Sequence, residues 1–86
     1  FPNIKFDLIF IDGDHTFYGA KKDIRNMKNL AHKKTIMIFD DILPHKVSGA
    51  GPTKAWNWCK NNQIIKNAKV ITFSKNKAVG IANYYL

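Results

Sequence analysis

The stretch FDLIFIDGDH, residues 6–15, sets a run of large apolar side chains against a closing pair of aspartates, Asp12 and Asp14. A second stretch, TIMIFDD at residues 35–41, repeats the plan and closes on Asp40 and Asp41. Each run is too short for a globular helix and too uniformly apolar for a sheet with one wet face, so both read as buried parallel strands. Four of the six acidic residues therefore fall at two strand ends, in a chain of formal net charge +8 that has no glutamate. Carboxylates retained for solubility would be scattered over solvent-facing positions instead.

Between the two runs, Phe17, Ala20, Ile24, Met27 and Leu30 recur at helical spacing, with Lys21, Lys22, Arg25 and Lys28 on the other faces. That pattern predicts an amphipathic helix laid over the sheet. A strand, helix, strand unit makes a right-handed crossover, which points both strands the same way and brings both acidic clusters out at one edge. Open α/β sheets bind ligands at that edge, beyond the carboxyl ends of the strands. Neighbouring strands lie about 4.8 Å apart, so carboxylates on their ends can converge on one cation with oxygen contacts of about 2.0–2.6 Å. An all-oxygen set favours a hard ion, Mg²⁺ or Ca²⁺, with Mn²⁺ as an alternative. The plainer readings are that Lys21, Lys22 or Lys46 neutralises the cluster, or that Asp14 does no more than cap the helix that follows.

Beyond Asp41, residues 42–51 carry Pro44, Gly49 and Gly51 and are expected to form an irregular loop at the ligand edge. Pro52 suits the first turn of a second helix, whose Ala55, Trp56 and Cys59 share one side, with Trp56 expected against the sheet and Trp58 pointing elsewhere. Residues 69–74 (KVITFS) and 78–86 (AVGIANYYL) form an expected antiparallel hairpin about the polar turn Lys75, Asn76 and Lys77. Gly80 within it marks a bulge or a close backbone approach. His32, near a helix end, is expected to meet terminal carbonyls. The fold class is α/β: a Rossmann-like partial sheet of two parallel strands with a crossover helix, a second helix, and a C-terminal antiparallel hairpin.

The chain's 86 residues suffice for one small domain, which buries only about 60% of its unfolded surface. No apolar stretch approaches the roughly 20 residues of a membrane-spanning helix, and none has the pattern of a signal peptide, so no membrane partner is expected. One cysteine, Cys59, excludes an internal disulfide and a multi-cysteine metal site, and fits a reducing, cytoplasmic setting. Thirteen lysines stand against a single arginine, spread along the chain among nine asparagines. This reads as the compositional bias of an AT-rich genome and argues against nucleic acid, whose specific contacts favour arginine's planar fork. Phe1 opens the chain, and a parallel sheet of this kind has further strands, so the chain is expected to be a piece of something larger. A homo-oligomer, or association through an exposed sheet edge, stays open.

The order strand, helix, strand ending in DD, helix and closing hairpin resembles the C-terminal half of a class I S-adenosylmethionine-dependent methyltransferase. The stretches IDGDHTFYGAKKDI, IMIFDDI and GAGPTKAW look especially like the small-molecule group called methyltransferase family 24, and the resemblance spans residues 1–86. The cation-dependent O-methyltransferases, a related subgroup, carry D-A-D-K-x-x-Y after this strand, where Asp12, Gly13, Asp14, His15 and Tyr18 stand here. By that resemblance Asp12 binds the cation, Asp14 and Tyr18 face the S-adenosylmethionine, and Asp40 with Asp41 fills the place of the subgroup's D-N pair at the metal. His15 replaces Lys and Asp41 replaces Asn. The implied reaction is an in-line displacement on a sulfonium methyl group by an oxygen or nitrogen of a small-molecule acceptor. His15, just beyond the carboxylates, is placed to take the acceptor's proton as general base, with a cap or hydrogen-bonding role as its plainer reading, and His45 is a weaker candidate. The family's glycine-rich first turn and its ribose-binding acid belong to the N-terminal half and have no counterpart here, so the chain alone is expected to bind S-adenosylmethionine weakly or not at all.

Other readings remain. Asp12-Gly13-Asp14 is also a D-x-D motif, which in glycosyltransferases holds Mn²⁺ on a nucleotide-sugar diphosphate. A phosphoacceptor receiver domain also joins a DD strand to a strand ending in one Asp, but there the DD strand comes first. A non-catalytic α/β binding or assembly module with a vestigial acidic edge is the alternative from a different class.

Overall fold

Two parallel strands, β1 (Phe6–Ile11) and β2 (Ala31–Asp40), carry the deciding stretches in the computed structural model, which describes residues 4–12, 15–43 and 45–86. Gly13, Asp14 and Pro44 lie outside the described residues. Between the strands runs α1 (Phe17–Met27), extended by a 3-10 turn at Lys28–Leu30. Its N-cap is Thr16, whose Oγ1 accepts a hydrogen bond from Gly19 N–H at 3.0 Å, so the capping once open to Asp14 is performed by Thr16. Then follow α2 (Val47–Asn61), β3 (Ile65–Ser74) and β4 (Lys77–Tyr84). The sheet order is β1-β2-β4-β3, with β4 antiparallel to both neighbours. This is the expected Rossmann-like partial sheet with its terminal hairpin.

Both helices lie on one face and pack against each other. Ile9 and Ile11 of β1, Met37 and Phe39 of β2, and Ala82 and Tyr84 of β4 point into that layer and meet Ala20, Ile24, Ala55, Trp56 and Cys59. The Trp56 ring stacks on Phe39 at 5.9 Å between centroids and 14° between planes. Gly80 is what allows it: a Cβ there would lie within 2.6 Å of Trp56 Cη2 and Cζ2. The close approach expected at Gly80 is thus made by a tryptophan. Tyr84 Oη donates to the Ile24 carbonyl at 2.6 Å, joining the last strand to the first helix, and burial pushes its phenol pKa up. Burial likewise pushes the Cys59 thiol up to about 11, against the lowering influence of Arg25 and Lys21.

Three expectations give way. Strands this uniformly apolar are expected to be dry on both faces, yet Leu8 is 59% exposed, Phe10 57% and Ile36 46%. These alternate with the core residues, so one face is covered by helices while the other has no layer over it among the described residues. The second helix begins at Val47, which places Pro52 inside it and turns part of the expected loop into helix. Its first turn forms because Gly49 and Ala50 N–H donate to the Lys46 carbonyl at 3.0 and 2.9 Å, and because Gly49 has no Cβ to strike the Leu43 carbonyl. His32 sits in β2, not at helix carbonyls: its Nε2 lies 2.6 Å from Asp7 Oδ1, and its Nδ1 accepts from Lys34 N–H. No helix is long and apolar enough to cross a membrane.

Gly80→Val drives a branched side chain into the Trp56 ring, and overpacking of this kind costs about 1–3 kcal/mol. Urea unfolding followed by far-UV circular dichroism should show that loss, whereas Ile71→Val on the exposed face should leave the midpoint within about 0.5 kcal/mol of the parent.

Candidate acidic site at the carboxyl edge of the sheet

The parallel register sets Ile11 beside Phe39, so the next residues, Asp12 just past β1 and Asp40 at the end of β2, stand side by side. In an extended strand Asp40 and Asp41 would point to opposite faces. Asp41 instead adopts φ 64°, the left-handed region that Asp tolerates better than most residues, and the turn brings its carboxylate round to the same place. One carboxylate oxygen from each of Asp12, Asp40 and Asp41 then lies within 4.8 Å of the others.

Two basic groups hold this arrangement. Lys77 Nζ donates to Asp40 Oδ1 at 2.6 Å, and the same oxygen accepts Asp41 N–H at 2.9 Å. That hydrogen bond, reinforced by the nearby charges of Asp40, Asp41 and Asp12, holds the Lys77 pKa above its ordinary value. The lysine meeting the cluster is thus Lys77 of the hairpin, a residue the sequence reading assigned to a turn. Its signal lay in the strand pairing: Asp40 stands opposite Val79 across β2 and β4, so Lys77 falls just beyond the end of β2. His15 Nε2 lies 2.9 Å from Asp41 Oδ2, a hydrogen bond between side chains that are 53% and 29% exposed. Gly51 helps seat His15, since a Cβ on Gly51 would strike the His15 carbonyl and the Phe17 N–H. The start of α2 therefore rests directly on the turn between β1 and α1.

Of the residues singled out in the sequence, Asp12, Asp40, Asp41 and His15 are brought together. Tyr18 stands exposed on α1, its ring 5.7 Å from Lys21 Nζ. Asp14 lies outside the described residues. His45 Nε2 donates to the Lys75 carbonyl at 2.8 Å and so fastens the segment after β2 to the hairpin turn.

Three carboxylates and one ammonium leave two negative charges uncompensated around a common point. Opposite ligands of a hard cation with contacts of about 2.1–2.5 Å stand about 4.2–5 Å apart, so a spread of 4.8 Å or less admits such an ion with little movement. The site suits a dication, or a hydroxyl-bearing ligand oriented by acceptors.

Residues 1–42 match the family model of a methyltransferase domain. The chain also superposes on a crystal structure from Klebsiella pneumoniae that carries an O-methyltransferase assignment, with a TM-score of 0.73 and 17% sequence identity. The match covers 96% of this chain and 42% of that one, so the chain spans less than half the length of the protein it resembles. No curated protein matches it significantly. Together the family match and the superposition support a class I methyltransferase-like α/β fold.

Replacing Asp41 tests the backbone at this site. Asp41→Asn keeps a residue type that accepts φ 64° and should unfold at nearly the parent's urea midpoint, while Asp41→Val forces a branched residue into that region at a cost of about 1–2 kcal/mol.

Proposed function

We propose that the chain is the carboxyl-terminal part of an S-adenosylmethionine-dependent methyltransferase that methylates a hydroxyl group of a small molecule, with a dication held by Asp12, Asp40 and Asp41. The observation that carries this reading is the convergence of three carboxylates from two parallel strands, in a chain whose residues 1–42 match a methyltransferase domain. Nothing among the described residues forms a glycine-rich strand-to-helix cradle, so this chain supplies at most one wall for S-adenosylmethionine, with Asp14 and Tyr18 as its candidate contacts.

When bound, S-adenosylmethionine would supply the sulfonium methyl to be displaced and the dication would lower the pKa of a coordinated hydroxyl. The remaining work falls to the chain's own side chains. Asp41 accepts a hydrogen bond from His15 Nε2, which fixes the ring and leaves Nδ1 as the nitrogen able to receive the acceptor's proton. Lys77 offsets part of the negative charge, so three carboxylates can sit together before any ligand arrives.

The two edges of the sheet support membership of a larger domain. On β3 the outer edge is guarded: Lys66 and Lys69 flank one irregularity in pairing, and a second follows Thr72. On β1 the outer edge carries FDLIFI with no lysine, next to a bare apolar face. Further strands and a helix layer would join on that side. A single buried free thiol, Cys59, supports a reducing, cytoplasmic setting.

Calorimetry with S-adenosylmethionine tests the reading on two proteins, this chain and a form extended at its N-terminus by the sequence encoded upstream. Binding by the extended form alone is expected; nucleotide-sugar binding in its place, or binding of neither ligand by the extended form, overturns it.

A further inference from the structure

Four basic residues of α1 and the turn that follows it share one groove, and the fold brings a fifth, Lys5, to its end. A groove of about 520 Å³ runs along α1 toward the end of α2, lined by Tyr18, Lys21, Lys22, Arg25, Lys28 and, on its far wall, Ile64. Lys5 reaches its end, donating from Nζ to the carbonyl of Asn29, another lining residue, at 2.6 Å. From Tyr18 to Lys28 the helix rises about 15 Å. The sole acid of α1, Asp23, takes part in an interaction of its own. The other described acids lie at the carboxyl edge or, as Asp7, against His32.

This arrangement runs against helix stability. Lys21 with Arg25, Lys22 with Arg25, and Arg25 with Lys28 are like charges three or four residues apart, each pair unfavourable by a few tenths of a kcal/mol. Two of these cations are also held in place. Lys21 Nζ lies 4.5 Å from the Trp58 ring centroid, 5.1 Å from that of Phe17 and 5.7 Å from that of Tyr18, and Arg25 Cζ lies 6.0 Å from Trp58. Rings beneath a cation restrict it without neutralising it, so little further ordering is needed when an anion arrives. The volume falls within the range of small-ligand sites, about 300–1,000 Å³.

We infer that this groove binds a compact oligophosphate anion of nucleotide size, its phosphates between Lys21, Lys22, Arg25 and Lys28 and a planar ring against the exposed Tyr18. The phosphate-binding part of the groove is separate from the acidic edge and does not rest on the methyl-transfer reading; Tyr18, which that reading offers to S-adenosylmethionine, is here assigned to the ring of the anion. The groove lies on the helix-covered side of the sheet, opposite the face that has no layer over it among the described residues.

Titration calorimetry at low salt, with tripolyphosphate, adenosine triphosphate and adenosine as probes, tests the inference on this chain. Tripolyphosphate and the triphosphate should bind, the triphosphate more tightly, adenosine not at all, and both affinities should fall as salt is raised. Arg25→Glu and Lys22→Glu should each weaken binding by about tenfold or more, as expected for loss of a charge-assisted contact. Lys60→Glu, an exposed reversal at the end of α2, should change it little, with circular dichroism confirming that all three variants fold. Equal losses in Lys60→Glu and Arg25→Glu would mean a general response to net charge and overturn the site. So would an absence of binding to either phosphate, or tighter binding of a ten-nucleotide single strand than of the triphosphate, since the groove would then track a polymer.

Discussion

The pairing of β1 with β2, parallel and with Ile11 beside Phe39, is the constraint from which the other features follow. It determines that the chain leaves both strands at one edge, and it places Asp12 and Asp40 as neighbours without any contact between them having to be favourable. Their mutual repulsion is set against the burial of Ile9, Ile11, Met37 and Phe39 under α1 and α2. Burying one such side chain is worth about 1.5–3 kcal/mol, and four of them outweigh the repulsion of partly solvated carboxylates near Lys77. The acidic edge is thus held together by the core beneath it.

What the sequence made legible is what hydrophobic period and punctuation encode. The 3.6-residue spacing of Phe17, Ala20, Ile24 and Met27 marked the buried side of α1, and the apolar runs marked β1 and β2. The aspartates at the strand ends pointed to a shared site because crossover handedness leaves little choice. Less legible was anything set by contact between distant segments. Lys77 meets Asp40 through the β2–β4 register, which local composition does not display. The early start of α2 depends on Gly49 fitting beneath Leu43 and Gly51 against His15, so the glycines that suggested a loop serve close packing. The exposure of Leu8 and Phe10 could not be read either, since a run apolar throughout does not say whether both of its faces are covered.

The fold also sorts charge and polarity by side. Carboxylates gather at the ends of β1 and β2, and ammonium and guanidinium groups line α1. The sheet's uncovered face presents Leu8, Phe10 and Ile36, beside the unguarded edge of β1.

The central claim is that two parallel strands deliver Asp12, Asp40 and Asp41 to one dication. Proton–nitrogen correlation spectra of the chain, recorded as Mn²⁺ is added, test it most directly because paramagnetic broadening reports position. The account predicts broadening confined to amides around residue 12, residues 40–42 and residues 77–79, and its disappearance in a variant combining Asp40→Asn with Asp41→Asn. Broadening centred on Asp7 or Asp23, or spread evenly over the chain, would contradict it.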